Sequence, residues 1–265
     1  MTAEGVGPLL REWRHRRSMS QMALAHATHV SPRHLSFVET GRSRPSAELV
    51  VALAIRLDVP LRERNRMLLA AGFAPRYDET PLDAAAMDRV WLAVQRLLDA
   101  HDPYPGMVLD RRHDIVAVNG SAERFLATLP ETLRETPVNL FRACLHPDGF
   151  GGDSPNFAHW APIMLGQLRR LAATTDDADL VELRDEIETW DSMSVLDSGA
   201  GPSAGEARGE LLVSSTFVIG GVELSLFSTL TSFGSPRDIT LDDLSIELFF
   251  PADDHTDAAL RHLCI

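Results

Sequence analysis

The side chains best placed to do chemistry lie close together, between residues 21 and 44. Arg33, His34, Ser36 and Phe37 fall on or beside one face of a short helical run that opens at Ser31-Pro32, and Arg42 and Arg44 follow it just past Gly41. Guanidinium groups, hydroxyls and an aromatic ring make a surface that meets acceptors, anions and flat apolar groups. Elsewhere the usual catalytic constellations are missing. His255 and His262 are seven residues apart beside Asp253 and Asp254, a poor spacing for zinc. Cys144 and His146 stand two apart in an expected loop, which gives neither a nucleophile–base pair nor a metal site. The chain reads as a binding protein, with no catalytic residue, no metal and no enzyme activity expected.

Two short helices must position the 31–44 surface. Their crossing needs a small residue, which Ala25 supplies, and the second helix must be pinned from below, for which Val30, Leu35 and Val38 have the spacing. Ser20 can cap the first of the two, from Gln21 to Thr28. Ser31 can cap the second, with Pro32 at its first position, where a missing N–H costs nothing. Glu39 sits at the end of that helix and is expected to pair with a nearby Arg. Around this pair, Leu9, Leu10 and Trp13 give an earlier helix its apolar stripe. Ser46 opens a fourth, carrying Leu49, Val50, Leu53, Ala54 and Leu57, which Pro60 breaks. Asn65 to Ala71 makes a fifth, closed by Gly72 and Pro75.

Charge divides the chain in the same way. Residues 1–75 carry 11 Arg against 6 acidic residues, a net of +5; the remainder carries 14 against 32, a net of −18. A basic head on an acidic body suits a small nucleic-acid-contacting module joined to a domain with another task. The polar, Pro-containing stretch 76–83 is the expected linker, giving domains at 1–75 and 84–265. Two cysteines, Cys144 and Cys264, make no disulfide framework and fit a reducing compartment. No run approaches the ~18 apolar residues of a membrane span. With no apolar leader at residue 1, a cytoplasmic protein without membrane partners is expected.

The run Ser20-Gln21-Met22-Ala23-Leu24-Ala25, with Val30 through Ser46, resembles the xenobiotic-response-element-like (XRE) helix-turn-helix regulators, relatives of the phage repressors. The resemblance implies an all-α, five-helix, lambda-repressor-like domain that binds a double-stranded DNA operator as a homodimer. It also implies residue roles. Gln21 would bond a phosphate, Arg33 and Ser36 would face base edges in the major groove, and Phe37 would touch a thymine methyl. Arg42 and Arg44 would hold phosphates. Ser31 and His34 complete the expected DNA-contacting set. His29 stands where the family often has a left-handed Gly, and Pro32 where a Gln often reads adenine.

The second domain mixes helices and strands. Met87, Val90, Trp91, Val94, Leu97 and Leu98 form a helical stripe; Met107 to Leu109 and Ile115 to Val118 read as strands, and Asn119 and Ser121 can cap a short helix. Helices are expected over 155–173 and 179–190, then a mobile Gly/Ser-rich loop at 197–210. Strands follow from Leu211 to Ile219 and from Val222 to Leu230, joined by Gly220-Gly221, a strong hairpin signal, and a last strand from Ser245 to Phe250.

Val108-Leu109-Asp110 with His113 to Asn119 resembles the opening of a PAS (Per-Arnt-Sim) sensor domain. Residues 62–75, 137–142, 146–149, 227–240 and 246–253 resemble the MmyB-like subgroup of the XRE regulators. The resemblance implies an α+β, PAS-like domain without a resident cofactor that binds a fatty-acid-like or other small apolar ligand. Met107, Leu109, Phe141, Trp160, Met164, Leu168, Phe217 and Phe227 are the candidate lining, and His159 or Arg169 the candidate anchor for a polar head. The alternative is that these residues simply fill the core and the domain serves dimerisation or a protein partner.

Overall fold

The computed structural model describes residues 5–175, 177–193 and 211–263; the expected loop at 197–210 lies outside them. The chain divides into two compact units, one of residues 1–87 with 233–243 and the other of residues 88–232 with 244–265.

The first unit contains α1 (Val6–Arg16), α2 (Gln21–Ala27), α3 (Pro32–Glu39), α4 (Ala47–Arg56) and α5 (Leu61–Ala70). The three caps foreseen in this unit are present. Ser20, Ser31 and Ser46 accept the N–H of Ala23, His34 and Leu49, satisfying donors that the first helical turn leaves orphaned. Leu10, Leu24, Leu35, Leu53, Leu57, Met67 and Leu68 are fully buried where the helices meet. Such side chains contribute roughly 1.5–3 kcal/mol each when removed from water.

Helix α5 starts earlier than the apolar pattern suggests, because its first turn, Leu61-Arg62-Glu63-Arg64, is mostly charged. Its N-cap is Pro60, which has no side chain able to cap. The cap comes instead from far along the chain: Asp242 Oδ2 accepts the Leu61 N–H at 2.7 Å. Asp242 belongs to the short helix α11 (Ile239–Asp243) of the 233–243 segment, which is why this segment groups with the first unit. Neighbouring bonds hold it there. Asp243 pairs with Arg62 at 2.8 Å, Asp238 accepts from the Thr80 hydroxyl at 2.6 Å, and Ile239 donates its N–H to Asp78 O. The stretch 76–83 is therefore no free linker. Buried Asn65 also clamps it, accepting the N–H of Arg76 and Tyr77 and donating to Tyr77 O.

The second unit is built on one antiparallel sheet in the order β2-β1-β5-β4-β3. Its strands are β1 (Gly106–Leu109), β2 (Ile115–Val118), β3 (Ser215–Ile219), β4 (Val222–Ser232) and β5 (Ser245–Pro251). The β3–β4 turn is Gly220-Gly221 with φ of 59° and 81°, the positive pair that a twist-matched two-residue hairpin demands. Strand β3 begins at Ser215, later than expected, and β4 runs on to Ser232.

Strand alternation sorts the sheet's two faces. One carries Met107, Leu109, Phe217, Leu224 and Leu226 into a core shared with α7 (Gly120–Leu126), α8 (Leu140–Leu145), α9 (Phe157–Thr175) and α10 (Ala178–Glu188). The other carries Phe227 and Phe250, stacked at 5.5 Å, with His101 of α6 (Asp88–His101) edge-on to Phe250 at 4.9 Å. A last helix, α12 (Asp254–Leu263), buries Leu260 in the core. The result is the expected α+β, PAS-like arrangement: a five-stranded half-barrel among the described residues, with helices closing its inner face.

Candidate functional site

Helix α3 is held by its inner face and leaves its outer face to solvent. Leu35 and Val38 are buried, with Ala25 of α2 fully buried against them. Gly7 of α1 packs so tightly on the end of α3 that an added Cβ would lie 2.6 Å from the carbonyl oxygens of Val38 and Glu39. Ser31, Pro32 and Arg33 are exposed, while His34, Ser36 and Phe37 are half-buried. The Arg33 guanidinium lies 5.4 Å from the Phe37 ring centroid, so the two side chains brace each other on the outer face. Arg42 and Arg44 are exposed on the turn after α3, where the Arg42 and Ser43 N–H groups close on Phe37 O. Among the described residues, Arg33, Arg42 and Arg44 have no acidic partner, so their donors are open to an anionic one. His29, in the α2–α3 turn, adopts the left-handed conformation with φ 55°.

Behind this face sits a buried charge network. Arg14 of α1 grips Glu39 with two bonds, Nε to Oε1 at 2.7 Å and Nη2 to Oε2 at 2.9 Å. The Glu39 carboxylate holds the guanidinium in its charged form, above even its ordinary high range. Gln21, placed by sequence at a phosphate, donates Nε2 to Glu39 Oε2 at 3.0 Å. Its amide nitrogen is thus engaged inside the protein. The sequence placed Glu39 beside an Arg but did not identify Arg14, 25 residues earlier, because only the fold brings α1 there.

In the second unit, a small apolar cavity of about 30 Å³ lies between the sheet's inner face and helices α7 and α8. Of the eight expected apolar lining residues, Met107 and Phe217 line it. The rest of the wall comes from Phe125, Leu126, Cys144, Phe150, Leu226 and Phe249, with Pro105, Ala122 and Leu140. The other expected residues sit elsewhere. Leu109, Phe141 and Leu168 are fully buried core, Trp160 packs edge-on to Phe217 and donates to Ser154, and Met164 is half-buried at the edge of the core. Phe227 is on the wrong face of the sheet, because strand parity puts Leu226 inward and Phe227 outward. Arg169 reaches a surface pair with Glu188, and His159 is half-buried on α9 away from the wall. Burial pushes the Cys144 thiol far up, so it is an inert wall group.

A second, polar cavity of about 360 Å³ is bordered by Arg112, Asp114, Asn139, Arg142 and Glu186. Most of its charges are paired: Arg112 with Asp177 and Asp179, Arg142 with Glu186, and Asn139 bonds Asp114. Nearby, His113 stacks on Phe141 at 4.6 Å, with φ 62° and neither ring nitrogen bonded. Burial drives its pKa down to about 4.

No helix among the described residues is long and apolar enough to cross a membrane. Comparison with known proteins matches residues 6–67 to a helix-turn-helix domain model and residues 90–263 to the model of the MmyB-like transcription regulator ligand binding domain. A solved structure, that of the clp gene regulator ClgR from Corynebacterium glutamicum, is similar at 25% identity. The match covers 39% of this chain and 96% of that one, with a TM-score of 0.24. No curated protein matches the chain. With the second model spanning well over half of its length, this chain belongs to the MmyB-like family of helix-turn-helix, DNA-binding transcription regulators.

Proposed function

We propose that this regulator reads an operator with α3 as a homodimer and that its second unit senses a small, largely apolar molecule. Arg33 and Ser36 meet base edges in the major groove, Phe37 lies against a thymine methyl, and Arg42 and Arg44 grip the backbone after the helix. Ser31 and His34 flank them, and Gln21 lies at a phosphate, to which its second amide N–H donates while the first stays on Glu39. Two copies place their α3 helices about one helical turn, ~34 Å, apart. The observation that carries the DNA reading is the unpaired Arg33–Phe37 couple on an outward face beside two unpaired arginines.

The sensing reading is supported by the apolar cavity closed by α7 and α8. At about 30 Å³ it has room for little more than a water, so a ligand must part Phe125 and Phe150 from the sheet to enter. The same small volume favours the second reading, in which the unit is a filled core serving dimer or protein contacts. Mass spectrometry of the purified, gently unfolded protein separates the two: a stoichiometric small apolar molecule supports sensing, and none supports the interaction module. A ligand regulates only if it favours one DNA-binding arrangement over another, so operator affinity must change when it is added.

A further inference from the structure

Strand β4 is more than twice as long as β3, its neighbour at the end of the sheet. β3 pairs with β4 only from Val222 to Leu226, while β5 pairs with it from Leu226 to Ser232. Among the described residues, no strand pairs with 227–232 on the side away from β5. Ser228, Thr229, Leu230, Thr231 and Ser232 are all exposed, Leu230 at 57%. Such an edge presents unpaired N–H and C=O groups and is a template for one more strand. The usual devices that blunt an edge are missing from it. Residues 224–235 carry neither a charged side chain nor a proline, and the pairing with β5 runs without a bulge.

The residues of this edge fit a second copy of themselves. Ser228-Thr229-Leu230-Thr231-Ser232 reads the same in both directions. An antiparallel copy centred on Leu230 sets Leu230 opposite Leu230, Thr229 opposite Thr231 and Ser228 opposite Ser232. Each pair joins hydroxyl to hydroxyl or apolar to apolar, the matches that cross-strand neighbours favour. The register is also the one that two-fold symmetry requires, since each residue meets on the other copy the residue that meets it in return. Charge favours the same surface. The chain beyond residue 75 carries a net −18, so two copies repel unless they meet where neither is charged.

We propose that two copies of this chain associate through the free edge of β4, antiparallel about Leu230, so that their sheets run on into each other. The assignment rests on the homodimer reading and names the surface that the dimer uses. Five residues make a small interface, so association is weak in free solution and strengthens when one operator holds both copies.

The test is sedimentation of the full chain over a range of concentrations, with two charge variants at the centre of the edge. Leu230 is exposed, so Leu230→Lys and Leu230→Asp leave the fold intact. Each variant alone sets like charges opposite each other and weakens the dimer about tenfold. An equimolar mixture of the two sets opposite charges there and recovers the dimer to within about threefold of the unaltered protein. A variant that dimerises like the unaltered protein, or a mixture that stays as weak as either variant, overturns the pairing about Leu230 while leaving the homodimer reading in place. An unaltered protein that is monomeric at every concentration also overturns it. That outcome is expected if Leu211, Leu212 and Val213, exposed just before β3, extend their own strand along the same edge. The homodimer reading falls as well only if the sequences selected from random DNA hold a single half-site.

Discussion

Arg14 and Glu39 form a two-bonded ion pair in which both side chains are almost wholly buried, joining α1 to the last residue of α3. Gln21 joins the pair from the start of α2. Three helices of the DNA-binding unit are thus keyed to a single carboxylate.

Removing one partner leaves a buried charge alone. Glu39→Leu or Arg14→Met is expected to cost about 3–5 kcal/mol of stability in the first unit. The double change, Arg14→Met with Glu39→Leu, is expected to cost far less than the sum of the two. Urea unfolding of all four proteins checks this, and additive losses would show that the two side chains do not depend on each other.

Phosphate contacts reveal themselves through salt. Changing both Arg42 and Arg44 to Ala is expected to lower the slope of log affinity against log salt by about two units per chain bound. The loss should be similar on specific and random DNA, since backbone contacts position without reading sequence. Titrations at several salt concentrations measure the slope, and an unchanged slope removes these arginines from the interface.

Much of the first unit was legible because its signals are local: a hydroxyl before a helix, Pro at the first position, apolar residues on a 3.6-residue repeat. What escaped were partners far apart in sequence. No periodicity could tie Asp242 to the N–H of Leu61 or Arg14 to Glu39. The helical and strand content of the second unit was also legible, but its cavity less so. Phe227 and Leu226 are neighbours in sequence and differ only in strand parity, which shifts with one residue of register. Phe125, Phe150 and Phe249 come from a helix, a loop and the last strand, and only the closed fold gathers them.

The borrowed cap of α5 has a stability consequence. Asp242→Ala is expected to destabilise the first unit by about 1 kcal/mol, as loss of a helix cap does. Asp242→Asn should retain most of it, since its side-chain oxygen can still accept from Leu61. Thermal unfolding of the two variants distinguishes a cap from a charge effect: equal losses would point to charge.

His113 gives the second unit an acid sensitivity. Its folded pKa is near 4, below the ordinary value of 6.5. Between those values the unfolded chain takes up a proton that the folded chain refuses, so stability is full above pH 6.5 and falls as pH drops toward 4. The loss from this group is roughly 3 kcal/mol at most. His113→Asn, which tolerates the left-handed backbone, should flatten the unfolding midpoint over that window. A variant with the same slope as the unaltered protein would assign the acid sensitivity to another group.

The central claim is that the outer face of α3 reads bases, and selection of bound sequences from a random duplex pool tests it most directly. The unaltered protein should enrich one motif of two half-sites about a helical turn apart. Arg33→Ala should bind that motif roughly 1–3 kcal/mol more weakly and lose preference at a single base pair in each half-site. Enrichment of no motif, or an Arg33→Ala loss equal on every sequence, would contradict it.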